Sequence, residues 1–174
     1  MQNMKGNIIL YTGNGGGKTA AALGLALRGV GHKKKVIMVQ YMKGRKDTGE
    51  YMAKERLAPE LEITQFGREG FVDLKNPSQA DKELAKKGME YAKESLKRKP
   101  DTLILDEINL AAAVGLLDAK DVVSFLKYIP PETIVILTGR NAPKEFTDCA
   151  DYVVELKDVK RPKKEIPARK GFEY

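Results

Sequence analysis

The chain has 174 residues, 32% of them charged, and a formal net charge of +7. That length suits one domain with a proper core, expected to span 1–174, and no apolar stretch reaches the ~20 residues that a membrane span requires. A single cysteine, Cys149, and a single histidine, His32, exclude an internal disulfide, a Cys-rich zinc cage and a His-based zinc site.

The opening "MQNMKGNIIL" enters an apolar run too soon for a signal peptide, so a cytoplasmic protein is expected. "NIILYT" (7–12) reads as a buried strand. Four glycines then fall between Gly13 and Gly17, followed by Lys18 and Thr19 and by the alanine- and leucine-rich "KTAAALGLALRGVG", a helix over 18–31. Strand, glycine loop, Lys-Thr and helix form the setting of a phosphate-binding loop. Its successive N–H groups and the positive end of the helix dipole make an anion site. Thr12, Gly13, Asn14, Gly15, Gly16, Gly17, Lys18, Thr19 and Ala20 are therefore read as nucleotide-binding. Lys18 is the mobile charge for phosphate oxygens, and the Thr19 hydroxyl is a ligand for Mg²⁺. The strict eight-residue pattern wants glycine at its first place, where this chain has Thr12.

A strand follows at 35–42 ("KVIMVQYM"), then a partly helical stretch, a short strand at 61–66 and a loop. The lysine-rich segment from Ser78 to Lys99 reads as an amphipathic surface helix. "TLILDEI" (102–108) is a strand that ends in Asp106 and Glu107. Helical "LAAAVGLL" and "AKDVVSFLKYI" stop at Pro130-Pro131. A strand at 133–138, a short helix at 143–149 and a strand at 151–156 complete the order. Strands that alternate with helices, several of them apolar throughout, predict an α/β fold: a P-loop, RecA-like parallel sheet with helices on both faces.

Ligands of such sheets sit outside the carboxyl ends of the strands. Asp106 and Glu107 lie there and give a metal its second anchor after Thr19. Arg140, after "TIVILT", can reach a terminal phosphate with its guanidinium fork, and Gln40 ends its own strand on the same edge. Glu107 is the one ready group for orienting a water or an acceptor hydroxyl, so it joins Lys18 as a catalytic candidate. From Lys157 to Tyr174 seven Lys/Arg stand against three Asp/Glu, a local +4, while the other 156 residues carry +3. Such a basic tail can serve nucleic acid or a membrane surface; the plainer reading is a solvated tail. The residues alone leave open a P-loop ATPase or phosphotransferase that releases ADP, and a RecA-like nucleic-acid protein.

"YTGNGGGKTAAALGLALRGVGH", "VIMVQYMKG", "GREGF", "LILDEINL", "VILTGRNAPKEFTDCADYVVELKDVK" and the terminal "KGFEY" together resemble the ATP:corrinoid adenosyltransferases of the CobA/BtuR type. The resemblance covers nearly the whole chain, and that family's loop also lacks the leading glycine. It implies transfer of the 5′-deoxyadenosyl group of ATP to the Co(I) of cob(I)alamin or cobinamide, with release of triphosphate and with Mg²⁺ or Mn²⁺. It further implies a homodimer, no membrane, and a reducing protein such as a flavodoxin as partner. By resemblance, Asn14, Lys18, Thr19, Arg28 and Arg140 hold nucleotide, Thr19, Asp106 and Glu107 hold metal, and Phe71 shapes the corrinoid side. Gly16 replaces a second loop lysine, Ala20 a second threonine, and Asp73 a frequent tryptophan.

Overall fold

The computed structural model describes residues 7–70, 72–164, 166–172 and 174. Six strands, β1 (Ile8–Thr12), β2 (Val36–Tyr41), β3 (Leu61–Phe66), β4 (Thr102–Asp106), β5 (Ile134–Thr138) and β6 (Tyr152–Glu155), form one sheet in the order β3-β2-β4-β5-β1-β6. Every pairing is parallel. The expected α/β fold is therefore present, and each strand falls within two residues of its expected bounds.

Alternation within the strands sends side chains to two cores. Ile37, Val39 and Tyr41 face one side, with Leu103, Leu105, Val135 and Leu137. They pack against α3 (Gln79–Leu96), α4 (Ile108–Ala113), α5 (Ala119–Leu126) and α6 (Lys144–Cys149). Val36, Met38, Ile63, Ile104 and Ile136 face the other side, where α1 (Lys18–Gly31) supplies the fully buried Ala22 and Ala26. Small residues on that stripe let α1 lie close to the sheet. Tyr51, in the short α2 (Gly49–Ala53), and Leu57, just past a 3-10 turn at Lys54–Arg56, fill out this second core.

Local signals account for the helix ends. Ser78 and Asp81 form a reciprocal capping box at the start of α3, and Asp81 also takes a bidentate pair from Arg68 at 2.8 and 2.9 Å. Gly115, at φ +75°, ends α4: its N–H reaches Ala112 O and the Leu116 N–H reaches Ala111 O, which satisfies two terminal carbonyls. The strand expected over 102–108 ends instead at Asp106, because Glu107 turns into the left-handed region at φ 62° and α4 begins at once. Among the described residues no helix is long and apolar enough to cross a membrane.

Candidate active site

The glycine loop joins β1 to α1 at the carboxyl edge of the sheet. Gly17 precedes the helix in left-handed geometry, φ 91°, and no side chain caps the N-terminus of α1. The first-turn N–H groups of a helix have no partner within it, so an uncapped start leaves them available to an anion. Lys18 is 6% exposed, and its Nζ donates to the carbonyls of Gly13 at 2.8 Å and Gly15 at 2.6 Å. The lysine thus braces the loop it follows. Burial draws its ammonium below the ordinary lysine range, and Glu107 opposes that effect while Arg140 adds to it.

Asp106 is the hub of the site. It is fully buried, and its Oδ1 accepts from Thr19 Oγ1 at 2.8 Å and Thr138 Oγ1 at 2.6 Å. Its Oδ2 accepts from Lys43 Nζ at 2.7 Å and Gln40 Nε2 at 3.1 Å. The Glu107 N–H donates to Thr138 Oγ1 at 3.0 Å, so one hydroxyl ties the ends of β4 and β5 together. Burial pushes the Glu107 carboxyl above the usual carboxylate range, with the Asp106 charge adding to it and Lys43, Lys18 and Arg140 opposing.

Lys43 and Asn109 escape sequence reasoning. The chain after β2 turns back through Met42, at φ 56°, and this carries Lys43 over the sheet edge. Its Nζ also lies 3.3 Å from Thr19 Oγ1 and 4.0 Å from Glu50. Burial works against the Lys43 ammonium, but Asp106, Glu107 and Glu50 outweigh it and hold the group above the ordinary lysine range. Asn109, fully buried, donates to Tyr11 O and Gly139 O, both at 3.0 Å, and so fastens the ends of β1 and β5. The one available signal for Lys43 was its place just past a strand end on the ligand edge.

Other expected residues divide. Thr12 accepts from the Ala142 N–H at 3.4 Å, Asn14 and Gly16 are exposed on the loop, and Ala20 is exposed in the first turn of α1. Arg140 is exposed beyond β5, and its field is felt at both Lys18 and Glu107. Arg28 is not brought to this cluster. It is exposed in the last turn of α1, ~15 Å of helical rise from Lys18. His32 lies beyond it, at the C-cap. Asp73 accepts from the N–H groups of Lys75 and Asn76, which makes it a turn former in its loop. Phe71 lies outside the described residues.

Among the described residues there is no group of three or more His, Cys, Asp and Glu side chains able to hold a metal. A P-loop metal does not need one, since phosphate oxygens and waters fill most of its shell. The Thr19 hydroxyl and the Asp106 carboxylate, 2.8 Å apart at the loop, are hard oxygen donors of the type that Mg²⁺ or Mn²⁺ takes. The residues fit such an ion.

Comparison with known proteins agrees with this arrangement. The model of the family described as ATP:corrinoid adenosyltransferase BtuR/CobO/CobP matches residues 4–174. The chain is 36% identical over 174 residues to a corrinoid adenosyltransferase of Sinorhizobium sp, covering 98% of this chain and 81% of that protein. It is 35% identical over 175 residues to the corrinoid adenosyltransferase of Escherichia coli K12, with 99% and 88% covered. A corrinoid adenosyltransferase of Pseudomonas aeruginosa is 34% identical over 173 residues, with 98% and 84% covered. The chain belongs to the ATP:corrinoid adenosyltransferase BtuR/CobO/CobP family.

Proposed function

We propose that this protein transfers the 5′-deoxyadenosyl group of ATP to the Co(I) of a reduced corrinoid, cob(I)alamin or cobinamide, and releases triphosphate. The observation that carries the reading, beside family membership, is the joining of an uncapped glycine loop, Lys18, Thr19 and Asp106 at one sheet edge. No observation favours the ATPase or phosphotransferase alternative.

In this reaction the electron pair of Co(I) forms a bond to C5′ of ATP. The C5′–O bond breaks, its pair leaves on the triphosphate, and cobalt becomes formally Co(III). The nucleophile needs no protein base to make it. The protein's tasks are to hold two ligands in line and to neutralise a departing polyanion. Loop amides from Gly16 to Thr19 and the Lys18 ammonium bind phosphate oxygens, and Arg140 reaches them from beyond β5. Thr19 and Asp106, with Glu107 alongside, are the groups for Mg²⁺ or Mn²⁺, which supplies further charge to the leaving group. Lys43, already on Asp106, contributes a second cation at the same edge. By resemblance, Phe71 shapes the corrinoid side and Arg28, further along α1, helps to hold the nucleotide. We further read the chain as a single domain that works in the cytoplasm as a homodimer, with a reducing protein such as a flavodoxin as partner.

A nucleotide with a non-hydrolysable β–γ bridge tests the reading, because attack at C5′ never strains that bond. With chemically reduced corrinoid it is expected to donate its adenosyl group, at a rate within about tenfold of ATP if the bridge disturbs metal binding by ~1 kcal/mol. The assay follows the spectral change as the cobalt–carbon bond forms and its reversal under light. An analogue that binds as tightly as ATP yet donates nothing, while ATP does, contradicts the C5′ mechanism.

A further inference from the structure

The segment after β6 lies across the phosphate loop. Leu156 N–H donates to Thr12 O, and the Gly15 N–H donates to Leu156 O, both at 2.8 Å. A Cβ on Gly13 or Gly15 would stand 2.4 or 2.7 Å from that same Leu156 oxygen. Two of the loop's glycines are therefore required by the passing chain, independently of any ligand. Two residues further on, the Asp158 carboxylate accepts from the Gly16 N–H at 3.1 Å and pairs with the Arg161 guanidinium. The Gly16 hydrogen bond first, and Arg161 next, hold the Asp158 carboxyl below the usual carboxylate range. Both groups act on the buried lysine of the loop: Asp158 favours the charged form of Lys18, and Arg161 opposes it.

Gly16 stands apart from the other two, since a Cβ there would meet nothing within 4 Å. The space beside its Cα is open, and among the described residues its amide donates to a carboxylate from outside the loop. Inward N–H groups of such a loop bind anions in general, so a carboxylate oxygen on one of them takes the place of a phosphate oxygen. Arg161 is at the same time neutralised by the group that must leave. A guanidinium fork suits a phosphate as well as it suits a carboxylate.

We propose that Asp158 is a resident anion of the phosphate loop, which the triphosphate end of the nucleotide displaces, and that this exchange hands Arg161 from Asp158 to the phosphates. The proposal rests on the reading of the loop as a polyphosphate site. It gives the 156–161 segment a role in turnover. Asp158 opposes nucleotide entry modestly and, by returning to Gly16, helps the released triphosphate to leave, while Arg161 strengthens the bound state. A residue that merely braced the loop would have the opposite effect when lost.

The test is calorimetric titration of the full chain with inorganic triphosphate, and with ATP, in the presence of Mg²⁺. Asp158→Asn keeps the size and an acceptor oxygen but removes the charge. It is expected to tighten triphosphate binding about twofold to fivefold, in keeping with one exposed charge pair. Arg161→Met is expected to weaken it by a similar factor, in the wild-type background and also together with Asp158→Asn. Unchanged or weaker binding by Asp158→Asn overturns the resident-anion role, and unchanged binding by Arg161→Met overturns the hand-over. If neither wild type nor Asp158→Asn binds triphosphate or ATP, the polyphosphate reading of the loop itself fails.

Discussion

Lys18→Ala is expected to abolish adenosyl transfer and to weaken ATP binding roughly 10- to 100-fold, about 1.5–3 kcal/mol for a lost charged hydrogen bond. Two effects combine. The ammonium that would meet the phosphates disappears, and the carbonyls of Gly13 and Gly15 lose the donor that now holds them at 2.8 and 2.6 Å. Loss of the brace lets the loop leave the shape in which its N–H groups converge. Global stability is expected to change little, because a buried ammonium is itself costly and burial already draws its pKa down. Circular dichroism should show a folded protein and calorimetry a loss of ATP affinity. Unchanged ATP binding would rule out the phosphate-loop assignment.

Asp106→Asn is expected to cost both activity and stability. The carboxylate is fully buried and accepts from Thr19, Thr138, Lys43 and Gln40. An amide of the same shape offers one oxygen, so one pair of donors is left facing an NH₂ group. The Lys43 charge then has no buried partner on that side, and leaving a charge so stranded costs about 3–5 kcal/mol when it is fully enclosed. Lys43 is 28% exposed and can turn toward water, so about 2–4 kcal/mol is expected, read from the urea midpoint. Adding Lys43→Met should recover part of that loss, since the two side chains are one interaction. Activity should stay absent in the double variant, because Thr19 has lost the acidic partner with which it would hold the metal. An Asp106→Asn protein that melts in urea at the wild-type midpoint would show that this network does not hold the strand ends together.

The features legible in the sequence were those written locally. Apolar runs located all six strands, and "GNGGGKT" between a strand and a helix announced the anion site. "LILDE" places Asp106 at the end of an apolar strand, and so on the ligand edge. What the sequence left unread depends on long-range closure. Lys43 meets Asp106 across 63 positions, and Asp158 meets Gly16 across 142. No periodicity encodes such pairs. The apolar run "LIL" and the return of an apolar residue at Ile108 extend the expected strand through Glu107 to 108, two residues past its end at Asp106. The left-handed turn that stops β4 comes from the immediate start of α4, beneath which Thr138 binds the Glu107 N–H. Arg28 entered through resemblance alone, and the length of α1 sets it well away from the loop. The basic tail, read as solvated, is largely exposed, yet its first residues lie on the loop and its last, Tyr174, lies under the Arg45 guanidinium at 4.8 Å.

The central claim is that the three phosphates leave joined together. It is tested most directly by identifying the phosphate product after the protein is incubated with ATP, Mg²⁺ and chemically reduced cobalamin. The account predicts inorganic triphosphate, formed in step with a light-sensitive cobalt–carbon bond. ADP with orthophosphate, and no such bond, would contradict it.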